Sequence, residues 1–110
     1  MQALLVIASP LTLAYRTRMA DLAAANRLPV LYEVREFPAS GGLLAYGPSL
    51  SDTYHIAADQ VARLLRGAKP SDLPLQQAVR AELVLNEGAA QRLGLTIPPA
   101  VRQRNPQLIP

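Results

Sequence analysis

The chain has no cysteine, which excludes disulfide scaffolds, zinc–thiolate sites, iron–sulfur clusters and thiol catalysis. Histidine is nearly absent too: His55 is the only one, so an imidazole metal site has no second ring to call on and a Ser–His–Asp triad has one candidate base. That base lacks a partner, because no G-x-S-x-G turn is present to hold a nucleophilic serine. Between Asp52 and Asp59, His55 reads as a solvated helix-surface residue. No phosphate-binding glycine loop occurs either, since Gly41-Gly42 is followed by a strand-like run and not by G-K-[ST] or a helix. No apolar run approaches the roughly 20 residues of a membrane-spanning helix. Ala3–Ala8 is too short for a secretory leader and has no Lys or Arg before it, so no export signal is read in these residues.

What is present is a largely apolar composition. Half of the 110 residues are hydrophobic and 17% are charged, which disfavours disorder. A chain of this length buries roughly 60–65% of its unfolded surface, enough for one core. Eleven basic against eight acidic residues give a net charge of +3. Ten of the eleven are Arg, scattered without a run, and Lys69 is the one lysine. With 18 Ala and 19 Leu, this is the composition of a GC-rich coding bias, not of a selected basic surface. Nucleic-acid binders concentrate their charge and interleave aromatics for stacking, and Tyr15, Tyr32, Tyr46, Tyr54 and Phe37 show no such pattern.

The pattern along the chain is α/β. Ala3–Ala8 reads as a buried strand, and Ser9-Pro10 starts a helix whose apolar face is Leu11, Tyr15, Met19 and Leu22. Asn26–Pro29 ends that helix, and Val30–Phe37 reads as a second strand. Strand–helix–strand in 35 residues is a βαβ unit with a parallel pair. After Pro38–Gly42, Leu43–Tyr46 reads as a third strand. The helix from Ser49 or Ser51 to Gly67 then shows a stripe of Tyr54, Ala57, Ala58, Val61, Leu64 and Leu65 expected to be buried. Val79–Leu85 is a fourth strand, Asn86 caps a short helix ending at Gly94, and the proline-rich remainder reads as an irregular tail. Four short strands are few for an open parallel sheet, so something is expected to precede the first. The third and fourth strands have no evident partners, which points to self-association.

Ligands of open α/β sheets bind outside the carboxyl ends of the strands. Ser9 and Glu33–Glu36 flank that crevice, with Ser9 equally readable as a plain helix cap and Glu33 as structural. Tyr46, at a strand end before Gly47-Pro48, could cover a ligand or stack on the turn. Gly41-Gly42 reads as a turn or hinge.

Several segments in order resemble one family. They are Leu28-Pro29-Val30-Leu31-Tyr32, Arg35-Glu36-Phe37, Gly41 to Pro48, Leu64 to Pro74, Glu82 to Asn86 and Leu93 to Pro99. Together they are similar to the C-terminal part of ABC transporter solute-binding proteins, of the family that includes tryptophan- and tyrosine-type binding proteins. The resemblance implies a partial type 1 periplasmic-binding-protein fold: residues 1–34 a βαβ unit of the C-terminal lobe, 35–42 a hinge crossing, 43–78 a strand, helix and loop of the N-terminal lobe, and 79–110 a return strand, short helix and tail. It implies a non-enzymatic fragment without cofactor or metal, extracytoplasmic, whose parent delivers a small-molecule solute to an ABC transporter permease by closing two lobes. Ser9, Glu36 and Tyr46 are then the candidate ligand-binding residues, and Gly41 and Gly42 the hinge. Ser9 stands where the family often has an acidic residue suited to a ligand ammonium group. Binding by the short form is expected to be weak or lost. The other expectation is a homo-oligomeric interaction module without ligand, its orphaned strands and helix faces covered by a second copy. Neither reading involves nucleic acid or membrane insertion.

Overall fold

A computed structural model describes residues 2–77 and 80–110. Leu4–Val6 forms strand β1, and Ser9 begins the helical connection as expected. The Ser9 hydroxyl accepts from Thr12 N at 3.1 Å, and Thr12 Oγ1 accepts from Ser9 N at 2.8 Å, closing a reciprocal cap. The helix is not continuous. It runs as α1, Pro10–Ala14, and α2, Arg16–Ala25, with Tyr15 leaving helical geometry between them. Strand β2, Val30–Tyr32, pairs parallel with β1 in the register Leu4 to Val30 and Val6 to Tyr32.

From here the chain departs from the alternating pattern. The expected strand to Phe37 stops at Tyr32, and Glu36–Ala39 folds as a short helix, α3. Residues 35–42, the expected hinge crossing, pack in part on the core below β2 and β3. Phe37 and Pro38 are buried, and the Phe37 ring stacks on Tyr32 at 4.6 Å between centroids. Burying two aromatic rings against each other outweighs the weak alternation that suggested a longer strand. Gly41, at φ +103°, makes the turn into β3, Leu44–Pro48.

β3 pairs parallel with β2 and antiparallel with β4, Ala81–Asn86, so neither strand lacks a partner within the chain. The expected start of that strand at Val79 lies outside the described residues. Between β3 and β4 run α4, Leu50–Leu65, and a single 3-10 turn at Pro70–Asp72. Asn86 caps α5, Glu87–Arg92. The expected irregular tail instead supplies a four-residue helix, α6, Pro99–Arg102, and a fifth strand, β5, Gln107–Ile109, parallel to β4. Proline at the start of α6 suits the first turn of a helix, which sequence density of Pro alone conceals. The sheet order is β1-β2-β3-β4-β5.

The register sorts the side chains into two faces. Val6, Tyr32, Ala45 and Val84 form one row, all buried, with Met19 and Ala23 of α2 and Phe37 of α3 over them. On the other face Leu5, Leu31, Leu44, Leu85 and Leu108 form a row across the whole sheet. Leu5 is 63% exposed and Leu108 53%. The α4 stripe expected to be buried is also open: this helix has no buried residue, and Tyr54, Val61, Leu64 and Leu65 are all exposed. The helix extends from the sheet, and the radius of gyration is 17.1 Å against roughly 13 Å for a compact chain of this length.

Candidate functional site

Strands β1, β2 and β3 run parallel, whereas β4 and β5 run the opposite way. The carboxyl ends of the first set therefore share one sheet edge with the amino ends of the second. Ala8, Ser9, Glu33, Tyr46, Ala81 and Glu82 follow or occupy those strand ends, and Arg104 and Asn105 precede β5. The structure brings Ser9 and the Glu33 region together as expected, through Ala8 N donating to Glu33 Oε2 at 2.8 Å. Glu33 also anchors the next strand: a Cβ placed on Gly47 would overlap the Glu33 carbonyl oxygen, so only glycine lets β3 pass there.

Ser9 is occupied by its cap. Its hydroxyl meets Thr12 N and Thr12 Oγ1, both at 3.1 Å, which commits the side chain to α1. Tyr46 is 56% exposed and lines a cavity of about 430 Å³ with Arg80, Glu82, Leu83, Arg104, Asn105 and Gln107. Among the expected ligand-binding residues it is the one that faces a substantial polar cavity. Glu36 sits in the first turn of α3, outside that cavity, and its Oε2 is buried without a hydrogen-bond partner. Arg35, next to it in sequence, donates from Nη1 to Gln107 Oε1 at 3.4 Å.

Gly41 and Gly42 lie before β3, at the opposite sheet edge. The turn they occupy is held from three elements. Asn86 Nδ2 donates to Pro38 O at 2.8 Å, Arg92 to Gly41 O at 3.3 Å, and Arg16 Nε to Ser40 Oγ at 3.0 Å. His55 is exposed on α4 and its Nδ1 meets Ser51 O at 2.7 Å. The carboxylates expected near it are engaged elsewhere, Asp59 with Arg63 and Asp52 with Arg80, each at 3.0 Å. Among the described residues no group of three His, Asp or Glu could hold a metal ion, and no helix is long and apolar enough to cross a membrane.

Glu82, Arg104 and Gln107 were not legible as site residues. Their placement depends on β4 reversing direction and on β5 existing at all, and neither has a local sequence signal.

Residues 2–109 match the family described as ABC transporter substrate binding protein. The chain belongs to this family. Three solved structures carry the same fold. The first is a conserved domain protein from Vibrio cholerae O1 biovar eltor, 27% identical with a TM-score of 0.89, the match covering 98% of this chain and 36% of that one. The second is a ligand-complexed ABC domain from Streptococcus pneumonia, solved with L-Trp, 24% identical with a TM-score of 0.87, covering 99% of this chain and 37% of that one. The third is a ligand-free, open substrate binding protein with adhesive properties from Clostridium difficile, 20% identical with a TM-score of 0.64, covering 97% and 35%. The chain thus spans little more than a third of the length of the structures it matches. No curated protein matches it. Membership makes the family's role that of a transport binding protein, and the observed α/β sheet is a partial substrate-binding-protein fold.

Proposed function

We propose that this chain forms part of one side of a solute-binding cleft in a two-lobed, extracytoplasmic binding protein that hands a small molecule to an ABC transporter permease. The observation that carries the reading is the path of β3 and β4. These neighbouring strands leave and re-enter the sheet at the edge that carries the candidate site, and the α4 they carry has an amphipathic stripe that none of the described residues covers. A pair of strands leading to a helix that belongs to another body is what a connection between lobes requires. On this reading the lobe junction lies at Pro48–Ser49 and just before Ala81, not at Gly41-Gly42, whose turn is bound on three sides. Solute would stabilise the closed arrangement through its greater affinity for it.

The role is binding, with no bond made or broken. A thermal-shift screen of the purified chain against small solutes, L-tryptophan included because one similar structure holds it, tests the reading. A raised unfolding temperature with one chemical class supports it, whereas no shift with any class at millimolar concentration refutes solute binding by this chain.

A second reading rests on the exposed margins of the leucine row, Leu5 and Leu31 on one side and Leu108 on the other, and on the open α4 stripe: a second copy covers them, and the chain is a self-associating module. Native mass spectrometry separates the two, since a ligand-free dimer supports the second reading and a monomer retaining a small-molecule mass supports the first.

A further inference from the structure

Three strand ends meet at the edge that carries the candidate site, and one side chain spans them. Glu33 directly follows β2, the middle of the three parallel strands. Toward β1, its Oε2 accepts from Ala8 N at 2.8 Å, a contact across 25 residues of sequence. Toward β3, its stem lies over Gly47: a Cβ placed there would stand 3.1 Å from Glu33 Cγ, so the absent side chain is what gives the stem its room. An N–H donated to a carboxylate is among the stronger hydrogen bonds, and it fixes the rotamer of the side chain that accepts it. The two residues held in this way lead to different parts of the proposed cleft. Ala8 opens the loop between β1 and α1, whereas Gly47 precedes the Pro48–Ser49 junction and pairs with Glu82 on the strand that returns.

We propose that Glu33 is a positioning residue for the solute cleft: it fixes the Ala8–Ser9 loop relative to the Pro48–Ser49 junction and so sets solute affinity without touching solute. The proposal rests on the solute-binding reading above and adds the residue that ties the cleft wall to the connection between lobes. The cap between Ser9 and Thr12 holds the loop to α1. Beyond Val6, where the pairing with Tyr32 ends, the Glu33 carboxylate continues the tie to β2. Solute gains from closure only what it binds better in the closed arrangement, so a wall whose loop and junction shift independently loses part of that gain.

The test has a ligand-free arm and a solute arm, both on the whole ¹⁵N-labelled chain. Without solute, Glu33→Ala should speed hydrogen exchange at the Ala8 amide roughly tenfold and move the Gly47 and Ser49 amide resonances, while Ala89 at the opposite edge stays in place. Glu33→Gln, which keeps an acceptor oxygen and the stem, should recover both signals. A change at Ala8 with none at Gly47 and Ser49 would overturn the link between loop and junction. Equal changes at Ala89 would reduce Glu33 to a contributor to general stability, and Glu33→Gln behaving like Glu33→Ala would overturn the assigned hydrogen bond. In the solute arm the probes are L-tryptophan and indole-3-propionate, which lacks the amine. Glu33→Ala should weaken both by the same factor, roughly threefold to tenfold, and Glu33→Gln should weaken neither. Loss confined to L-tryptophan would mean that Glu33 contacts the solute amine, which overturns the positioning role. A parent chain that binds neither probe overturns the solute role while the ligand-free link stands, so the two failures are told apart.

Discussion

Asn86 offers the sharpest test of what holds the sheet edge opposite the candidate site in place, because it joins three elements from a buried position, 6% exposed. Its Oδ1 accepts from Ala89 N at 2.8 Å and caps α5, its Nδ2 donates to Pro38 O at 2.8 Å, and its own N–H donates to Leu43 O at 2.9 Å. Replacing it with alanine keeps the last bond and removes the other two. Loss of the cap costs about 1 kcal/mol. Leaving the Pro38 carbonyl buried without its donor costs about 1–3 kcal/mol more. The expected loss is therefore about 2–4 kcal/mol, a large share of the roughly 5–15 kcal/mol that holds a domain folded. At about 4 °C per kcal/mol for a chain of this size, the melting temperature should fall by roughly 8–16 °C. Urea denaturation followed by circular dichroism measures the free energy directly. Asn86→Asp divides the effect, since it keeps the cap acceptor and removes the donor to Pro38. If the Pro38 bond dominates, the aspartate variant should be at least as unstable as the alanine variant. A loss under about 0.5 kcal/mol for Asn86→Ala, the range of ordinary surface substitutions, would refute the account of how α3, β3 and α5 are joined.

Three further outcomes follow from particular contacts. Gly47→Ala should destabilise by about 1–3 kcal/mol, because the new methyl meets the Glu33 carbonyl oxygen and backbone cannot give way as a side chain can; an unchanged urea midpoint would contradict that close approach. Val61→Gln and Leu65→Gln, on the open stripe of α4, should each change stability by less than about 0.5 kcal/mol, and a loss above about 2 kcal/mol in dilute monomer would show that the stripe is buried after all. Burial raises the Tyr32 phenol above its ordinary value of 10.0, so the unfolded chain ionises first. Its contribution should be complete below about pH 10 and lost as pH rises through the raised folded value. If Tyr32→Phe loses stability above that pH as steeply as the parent, the alkaline loss has another source.

The sequence is most legible where a cap, a periodic run and a stop signal agree. Ser9-Pro10 and Asn86 cap the expected helices, Gly67 and Gly94 follow helix ends with positive φ, and β1 and β2 pair parallel. The failures share a physical cause: the deciding interaction is remote in sequence. Phe37 leaves the strand pattern to stack on Tyr32, the 107–109 segment becomes a strand because β4 offers it an open edge, and β4 reverses direction after an excursion of more than 30 residues. No window of local periodicity contains these partners. The candidate site follows the same division. Ser9 and Tyr46 are candidates by strand-end position alone, while Glu82 and Arg104 are brought beside Tyr46 only by the antiparallel turn of the sheet.

The misplaced expectation for α4 carries the most information. Its sequence has strong amphipathicity, and an amphipathic helix in a complete domain turns its apolar side to a core. Here the polar side is satisfied within the chain, with Asp59 bound to Arg63 and Asp52 to Arg80, while Tyr54, Val61, Leu64 and Leu65 face outward. Exposed ion pairs of that kind contribute little to stability, so they do not explain why the apolar stripe exists. The leucine row on the second sheet face poses the same problem at its margins: Leu5 and Leu31 on β1 and β2, and Leu108 on β5, stand exposed, while Leu85 between them is buried. A sheet that is apolar on both faces is one meant to be covered on both. Two separate unburied surfaces, one on the sheet and one on the helix that leaves it, call for two separate covering bodies or for one that reaches both. A chain of the length of the similar structures, roughly three times this one, has residues enough to cover both by itself. A second copy would have to satisfy both surfaces through one symmetric contact, which is the harder condition, and it is why solute binding within a larger two-lobed protein is the stronger of the two readings.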